Sequence, residues 1–204
     1  MPKAWLQDRK RDYYYKKAKE EKYRSRAAYK LLQAVKKYRF IKEGDVVLDL
    51  GAAPGGWVQA ARKSVGDKGY VLGVDLKSVE PFEEPNVRTI IGDINDEETL
   101  REILGLLPRQ SDAVVSDVSP NISGIWEVDH ARQMGLSLRA LDIALDTLRP
   151  SGGFFVKVFQ GDMLDDFVKK VKKHFQEVRV VKPEASRGKS SELFILGLKL
   201  EKTG

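Results

Sequence analysis

Val46-Val47-Leu48-Asp49-Leu50-Gly51-Ala52-Ala53-Pro54-Gly55-Gly56-Trp57 is the stretch whose reading decides the fold. A short run of apolar residues breaks into small ones and then into a segment with helical spacing. Such a strand-turn-helix lets a ligand approach the backbone closely, because nothing bulky stands on the turn. The plain reading is a tight βα connection. The dinucleotide reading requires Gly-x-Gly-x-x-Gly, and this turn instead runs Gly-x-x-x-Gly-Gly with Pro54 inside it. A nicotinamide site is therefore disfavoured.

Outward from this turn, apolar runs alternate with amphipathic segments. The spacing predicts strands at 45–50, 70–75, 87–91, 112–117, 153–159, 178–181 and 192–200. It predicts helices at 56–64, 97–106, 131–148 and 163–175, with one before the sheet carrying Ala28, Leu31, Leu32 and Val35 and capped by Ser25. Short β-rich runs separated by helices indicate βαβ units and a mostly parallel sheet. The connection 182–190 is too short for a crossover helix, so the last two strands should form an antiparallel hairpin at one edge.

The 204 residues, 42% of them apolar, suit one ordinary domain, and no apolar run reaches the roughly 20 residues of a membrane span. No cysteine is present, which excludes disulfides and thiolate metal sites, and only His130 and His174 could supply imidazole. A soluble, cytoplasmic, monomeric protein without a metal is expected. Charge is unevenly placed. Residues 1–30 carry 11 Lys/Arg against 4 Asp/Glu, while the remaining residues carry 25 against 26, so the whole excess behind the net +6 sits at the start. Residues 1–24, basic and interleaved with Tyr13, Tyr14, Tyr15 and Tyr23, read as an RNA-binding arm without core-facing periodicity. Residues 25–204 read as a single domain, and neither DNA nor a membrane is an expected partner.

Candidate site residues follow from strand ends. Asp75 closes the second strand, where a carboxylate can accept ribose hydroxyls, and Asp93 follows the third, placed for an adenine amino group. The turn spacing and these aspartates together suit S-adenosylmethionine. Lys157 interrupts the fifth strand, Gly153-Phe154-Phe155-Val156-Lys157-Val158-Phe159. Lysine is costly in a strand covered on both faces, and a lone one would usually snorkel to the surface. Asp117, at the end of the fourth strand, should meet it in the crevice beyond the strand ends. Glu192 opens the last strand, and Lys30 lies on the helix before the sheet.

In this order the residues resemble the FtsJ (RlmE/RrmJ-like) family of ribose 2′-O-methyltransferases, from about Tyr23 to Leu200. The resemblance rests on Arg24-Ser25-Arg26-Ala27, Asp49 to Trp57, Ser119-Pro120-Asn121-Ile122-Ser123-Gly124 and the Lys157 strand. It implies a Rossmann-like class I methyltransferase fold of the α/β class: a mostly parallel seven-stranded sheet with an antiparallel edge strand and helices on both faces. It implies a catalytic tetrad of Lys30, Asp117, Lys157 and Glu192, and S-adenosylmethionine contacts at Gly55, Trp57, Asp75, Asp93 and Asp117. The expected substrate is a uridine of large-subunit ribosomal RNA, free or within a ribosomal particle. The tRNA anticodon loop and non-catalytic RNA binding are the alternatives. Val118-Ser119 stands where bacterial members usually carry Met-Ala, an archaeal or eukaryote-like feature. Some archaeal relatives carry a C-terminal RNA-binding extension. This sequence ends just after its last strand, so the RNA grip is expected from the arm and the domain surface. Lys157 is the candidate base; if charged, it would instead orient the hydroxyl and stabilise oxyanion character.

Overall fold

The computed structural model describes residues 13–187 and 190–201. Along the chain run α1 (Tyr13–Glu20), α2 (Ala28–Tyr38), β1 (Val46–Leu50), α3 (Gly56–Val65), β2 (Tyr70–Asp75), β3 (Val87–Ile91) and α4 (Glu97–Leu106). They continue as β4 (Ser111–Ser116), α5 (Trp126–Thr147), β5 (Leu148–Phe159), α6 (Leu164–Lys172), β6 (Phe175–Val181) and β7 (Glu192–Leu200). The strands form one sheet ordered β3-β2-β1-β4-β5-β7-β6. β1 to β5 pair in parallel, whereas β7 runs antiparallel to both β5 and β6. The closing hairpin thus lies at one edge as expected, with β6 outermost and the reversed strand one position in.

Side-chain alternation sorts the core into two layers. Leu48, Leu50, Val114, Phe154, Val156 and Val158 face α4, α5 and α6. Val47, Val115, Phe155, Phe194 and Leu196 face α2 and α3. Most of these side chains are fully buried, and each contributes about 1.5–3 kcal/mol by leaving water. Lys157 shares the second face with Phe155, two residues along β5, and pairs in register with Phe194 of β7. Chain order reverses between β1 and β4, which opens a crevice at their carboxyl ends. Among the described residues no helix is long and apolar enough to cross a membrane.

Several local assignments differ from the expectation. Tyr13–Glu20 is helical, and Ala18 buries against Tyr29 while Tyr14 and Tyr23 pack beside it. Its inward face is aromatic with one alanine, which leaves no aliphatic period to read. The arm's first twelve residues lie outside the described residues. Ser25 does not cap α2: the cap position is Ala27, without a side-chain bond. Ser25 presses instead on Gly56, where a Cβ would lie 2.2 Å from Ser25 Oγ. α5 begins at Trp126 rather than Ala131. β5 starts at Leu148, pairing with Ser111 across an irregularity before Gly153 rejoins Ala113, so Pro150 and Gly152 punctuate a strand instead of ending it.

Candidate active site

The crevice encloses about 610 Å³ and is bordered by Gly51, Asp75, Asp93, Asp117, Lys157 and Glu192, among others. That size suits a ligand of nucleoside dimensions. Gly51 has φ +83°, and a Cβ there would lie 2.8 Å from the Val118 backbone, so only glycine lets the β1 turn pass the β4 loop. Asp75 Oδ2 accepts the Ala53 N–H at 2.9 Å and Oδ1 the Lys77 N–H at 2.8 Å. The carboxylate thereby braces the turn while keeping lone pairs for a ligand. Asp93 Oδ1 accepts both the backbone and side-chain N–H groups of Asn95 at 2.9 Å.

Gly55 and Trp57 do not border the crevice. Arg24 lies over Gly55 and donates to the carbonyls of Glu80 and Pro81 at 2.6 and 2.9 Å. Trp57 is buried, stacks on Phe155 at 5.7 Å and donates from Nε1 to the Ala27 carbonyl at 2.8 Å. A ligand contact from Trp57 would fall to its backbone N–H in the first turn of α3. The Arg24–Ala27 stretch therefore clamps the helix that carries the turn, a role the sequence does not announce.

The tetrad residues converge from four elements. Lys157, 3% exposed, places Nζ 3.2 Å from Asp117 Oδ1, 2.8 Å from the Asp117 carbonyl oxygen and in hydrogen-bond contact with Ser119 Oγ. Glu192 Oε1 is 3.9 Å away, and Glu192 Oε2 accepts from Lys30 Nζ at 2.9 Å. Lys30 itself is only 8% exposed. Burial would raise the Glu192 carboxyl, but Lys30 and then Lys157 hold it below the ordinary carboxylate range. The strand beneath is anchored too. Ser137 Oγ and Gln133 Nε2, both on α5, donate to the Lys157 carbonyl at 2.9 and 3.2 Å.

Sequence reasoning missed Ser119 and Asp49. Ser119 opens the Ser119–Gly124 motif, yet nothing in the sequence gives it a partner, and only the fold brings it to Lys157. Asp49 is fully buried on β1, and neither carboxylate oxygen has a hydrogen-bond partner among the described residues. Burial, with Asp117 and Asp75 adding to it, pushes its carboxyl well above the ordinary range. Its signal is a lone charge inside an apolar strand. The crevice is thus framed by Asp75, Asp93 and Asp117 with Asp49 behind them. The carboxylates of Asp75, Asp93 and Asp117 are acceptors that fit the ammonium and ribose hydroxyls of S-adenosylmethionine.

A mostly parallel sheet whose reversed strand lies one position in from the edge, with this crevice at its switch point, defines a Rossmann-like methyltransferase fold. Fibrillarin of Aeropyrum pernix, solved with S-adenosyl-L-methionine, shares this fold at TM-score 0.59 and 20% identity, covering 86% of this chain and 75% of that one. The chain belongs to the FtsJ-like methyltransferase family, whose model matches residues 23–200. It is 53% identical over 197 residues to the ribosomal RNA large subunit methyltransferase E of Methanocaldococcus jannaschii, covering 95% of this chain and 80% of the relative. The protein of that name from Methanothrix thermoacetophila is 54% identical over 190 residues, with coverages of 93% and 73%. The crystal structure of a Plasmodium falciparum protein described as a putative ribosomal RNA methyltransferase superposes at TM-score 0.76 and 29% identity, covering 87% of this chain and 98% of that one.

Removing the Asp75 carboxylate takes away both the proposed ribose contact and the Ala53 brace. Asp75→Ala is expected to weaken S-adenosylmethionine binding by about 1–3 kcal/mol in calorimetry, with the far-UV spectrum retained. Unchanged affinity would remove Asp75 from the cofactor site.

Proposed function

We propose that the chain transfers a methyl group from S-adenosylmethionine to the ribose 2′-hydroxyl of a uridine in large-subunit ribosomal RNA. The observation that carries this reading is the buried Lys157 with Asp117 and Glu192 around its amine, at the inner end of a carboxylate-framed crevice. A binding-only protein has no use for a lysine inside a covered strand. Asp75, Asp93 and Asp117 would hold the cofactor, with the backbone at Gly55 and Trp57 at the start of α3. The bound cofactor supplies a methyl carbon activated by its sulfonium.

The chain's own residues supply alignment and charge. Asp117 and Ser119 fix the Lys157 amine, so it can hold the attacking hydroxyl in one orientation. As the oxygen attacks, that amine either receives the proton or offsets the developing negative charge, and both roles require it at the same point. The Lys30–Glu192 pair forms the outer wall and positions the ribose. The names of the methanogen relatives and the Plasmodium protein support ribosomal RNA as the substrate. Ribosomal RNA from cells lacking the gene should miss one 2′-O-methyluridine of the large subunit. An unchanged map, or a methyl lost from tRNA instead, contradicts this assignment.

Residues 1–24 serve, in this reading, as an RNA-binding arm on a methyltransferase domain spanning 25–204. Support comes from a groove of about 950 Å³ between α1, α2 and the β6–β7 connection, bordered by Lys17, Lys36, Lys37 and Lys182 and by Tyr13 and Tyr38. Basic side chains interleaved with aromatic ones suit single-stranded RNA. Lys16 and Lys19 are exposed on α1 and can be neutralised without disturbing the Ala18 packing. The double variant Lys16→Gln/Lys19→Gln should lower the slope of log affinity against log salt by about 0.7 per lost phosphate contact. Cofactor affinity should not change. An unaltered RNA affinity and slope would leave α1 as packing alone.

A further inference from the structure

We infer that Trp126 and its apolar surround form a stacking shelf for an RNA base next to the methylated nucleotide. The inference rests on the reaction proposed above and adds to it a site for recognising the flanking RNA. Ile122, Ile125, Trp126 and Met163 are 65%, 58%, 45% and 43% exposed, although each is a large apolar side chain. A patch of this kind marks a binding surface when it is contiguous with one. Here it is. Ser119, Pro120 and Asn121 border the crevice, and the chain continues directly into Ile122 and the first turn of α5.

The shelf is held in place from below. Trp126 lies 5.9 Å from the Phe159 ring at 22° and 5.7 Å from the His130 ring at 19°. Phe159 pairs in register with Glu192, so the stack rests on the end of β5 that lies beside the tetrad's Glu192. His130 Nε2 accepts the Met163 N–H at 3.3 Å, which ties the loop after β5 to the same stack. The loop on the other side is tied by Asp129, whose carboxylate accepts from Ser123 N and Oγ at 2.8 Å and from Gly124 N at 3.0 Å. Trp126 stays 45% exposed, and a ring already held by its neighbours loses little freedom when a base packs on its exposed part.

The occupant follows from position and charge. Whatever enters the crevice from this side is the substrate, and an RNA substrate brings its next base within reach of the shelf. Arg132, exposed one and a half turns along α5, approaches the Asn121 carbonyl at 3.5 Å and adds a cation for the intervening phosphate. Aromatic surface beside a guanidinium is the pairing that single-stranded RNA sites use.

The test compares wild type, Trp126→Ala and Trp126→Phe on protein-free large-subunit ribosomal RNA, with melting temperature and S-adenosylmethionine affinity measured alongside. Trp126→Ala should raise the KM for RNA by about 10-fold or more, leaving kcat and cofactor affinity near wild type, and Trp126→Phe should recover most of the loss. As a readout independent of the alanine variant's folding, a short oligouridylate should quench wild-type fluorescence more than that of Trp126→Phe. A Trp126→Ala enzyme with wild-type KM, or equal quenching in the two proteins, overturns the shelf while leaving the reaction intact. Self-association of the wild type that Trp126→Ala abolishes without moving the RNA KM would assign the patch to a second copy and also overturn it. A wild-type chain that methylates no RNA overturns the reaction, and the shelf with it.

Discussion

Lys157→Met is expected to lower the single-turnover rate of RNA methylation by about 10²–10⁴-fold, the range that a positioned proton acceptor or charge contributes. Methionine keeps the unbranched stem, so the packing of β5 between β4 and β7 should survive. Only the amine within reach of Asp117, Ser119 and Glu192 is lost. Glu192 retains Lys30 at 2.9 Å, so the variant leaves no buried carboxylate without a cation there. Cofactor affinity should stay near wild type, because the proposed cofactor contacts lie at the ends of β1 to β4. A near wild-type rate would make Lys157 a structural lysine and send the search for the base elsewhere.

Asp117→Ala should lose activity to a comparable extent, about 10²–10⁴-fold, and should also weaken cofactor binding. This carboxylate borders the crevice and pairs with Lys157 at the same time. Its removal strips the nearest anion from a 3%-exposed lysine, a larger electrostatic insult than the reverse substitution. The carbonyl of residue 117 and Ser119 Oγ remain as partners for the amine, which limits the displacement. In the double variant with Lys157→Met the losses should be well short of additive, as for residues acting in one unit. Calorimetry and single-turnover kinetics on the four proteins check this. Fully additive losses would mean that the two side chains act independently.

The parts of this molecule that were legible in the sequence are those where burial forces a residue type. β1, β2 and β4 are covered on both faces, so they stand out as apolar runs, and Lys157 stands out because it violates that pattern. Asp75, Asp93 and Asp117 were legible because strand ends are where such sheets meet ligands. What escaped was set by contacts across the fold. α1 buries tyrosines and a single Ala18, which no periodicity reveals. Ser25 carries the composition of a helix cap, yet the approach of α3 takes it for packing against Gly56. The indole of Trp57 is turned into the core by Phe155 and the Ala27 carbonyl, away from the crevice its position in the turn suggests. Ser119 reaches Lys157 only because β4 and β5 are neighbours.

The most direct test of the central claim follows a labelled methyl group. The protein is incubated with methyl-labelled S-adenosylmethionine and unmodified large-subunit ribosomal RNA, and the RNA is digested to nucleosides for mass spectrometry. The account predicts label in 2′-O-methyluridine with the wild type, and at least about a hundredfold slower labelling with Lys157→Met. Label on a base, or equal labelling by the two proteins, would contradict it.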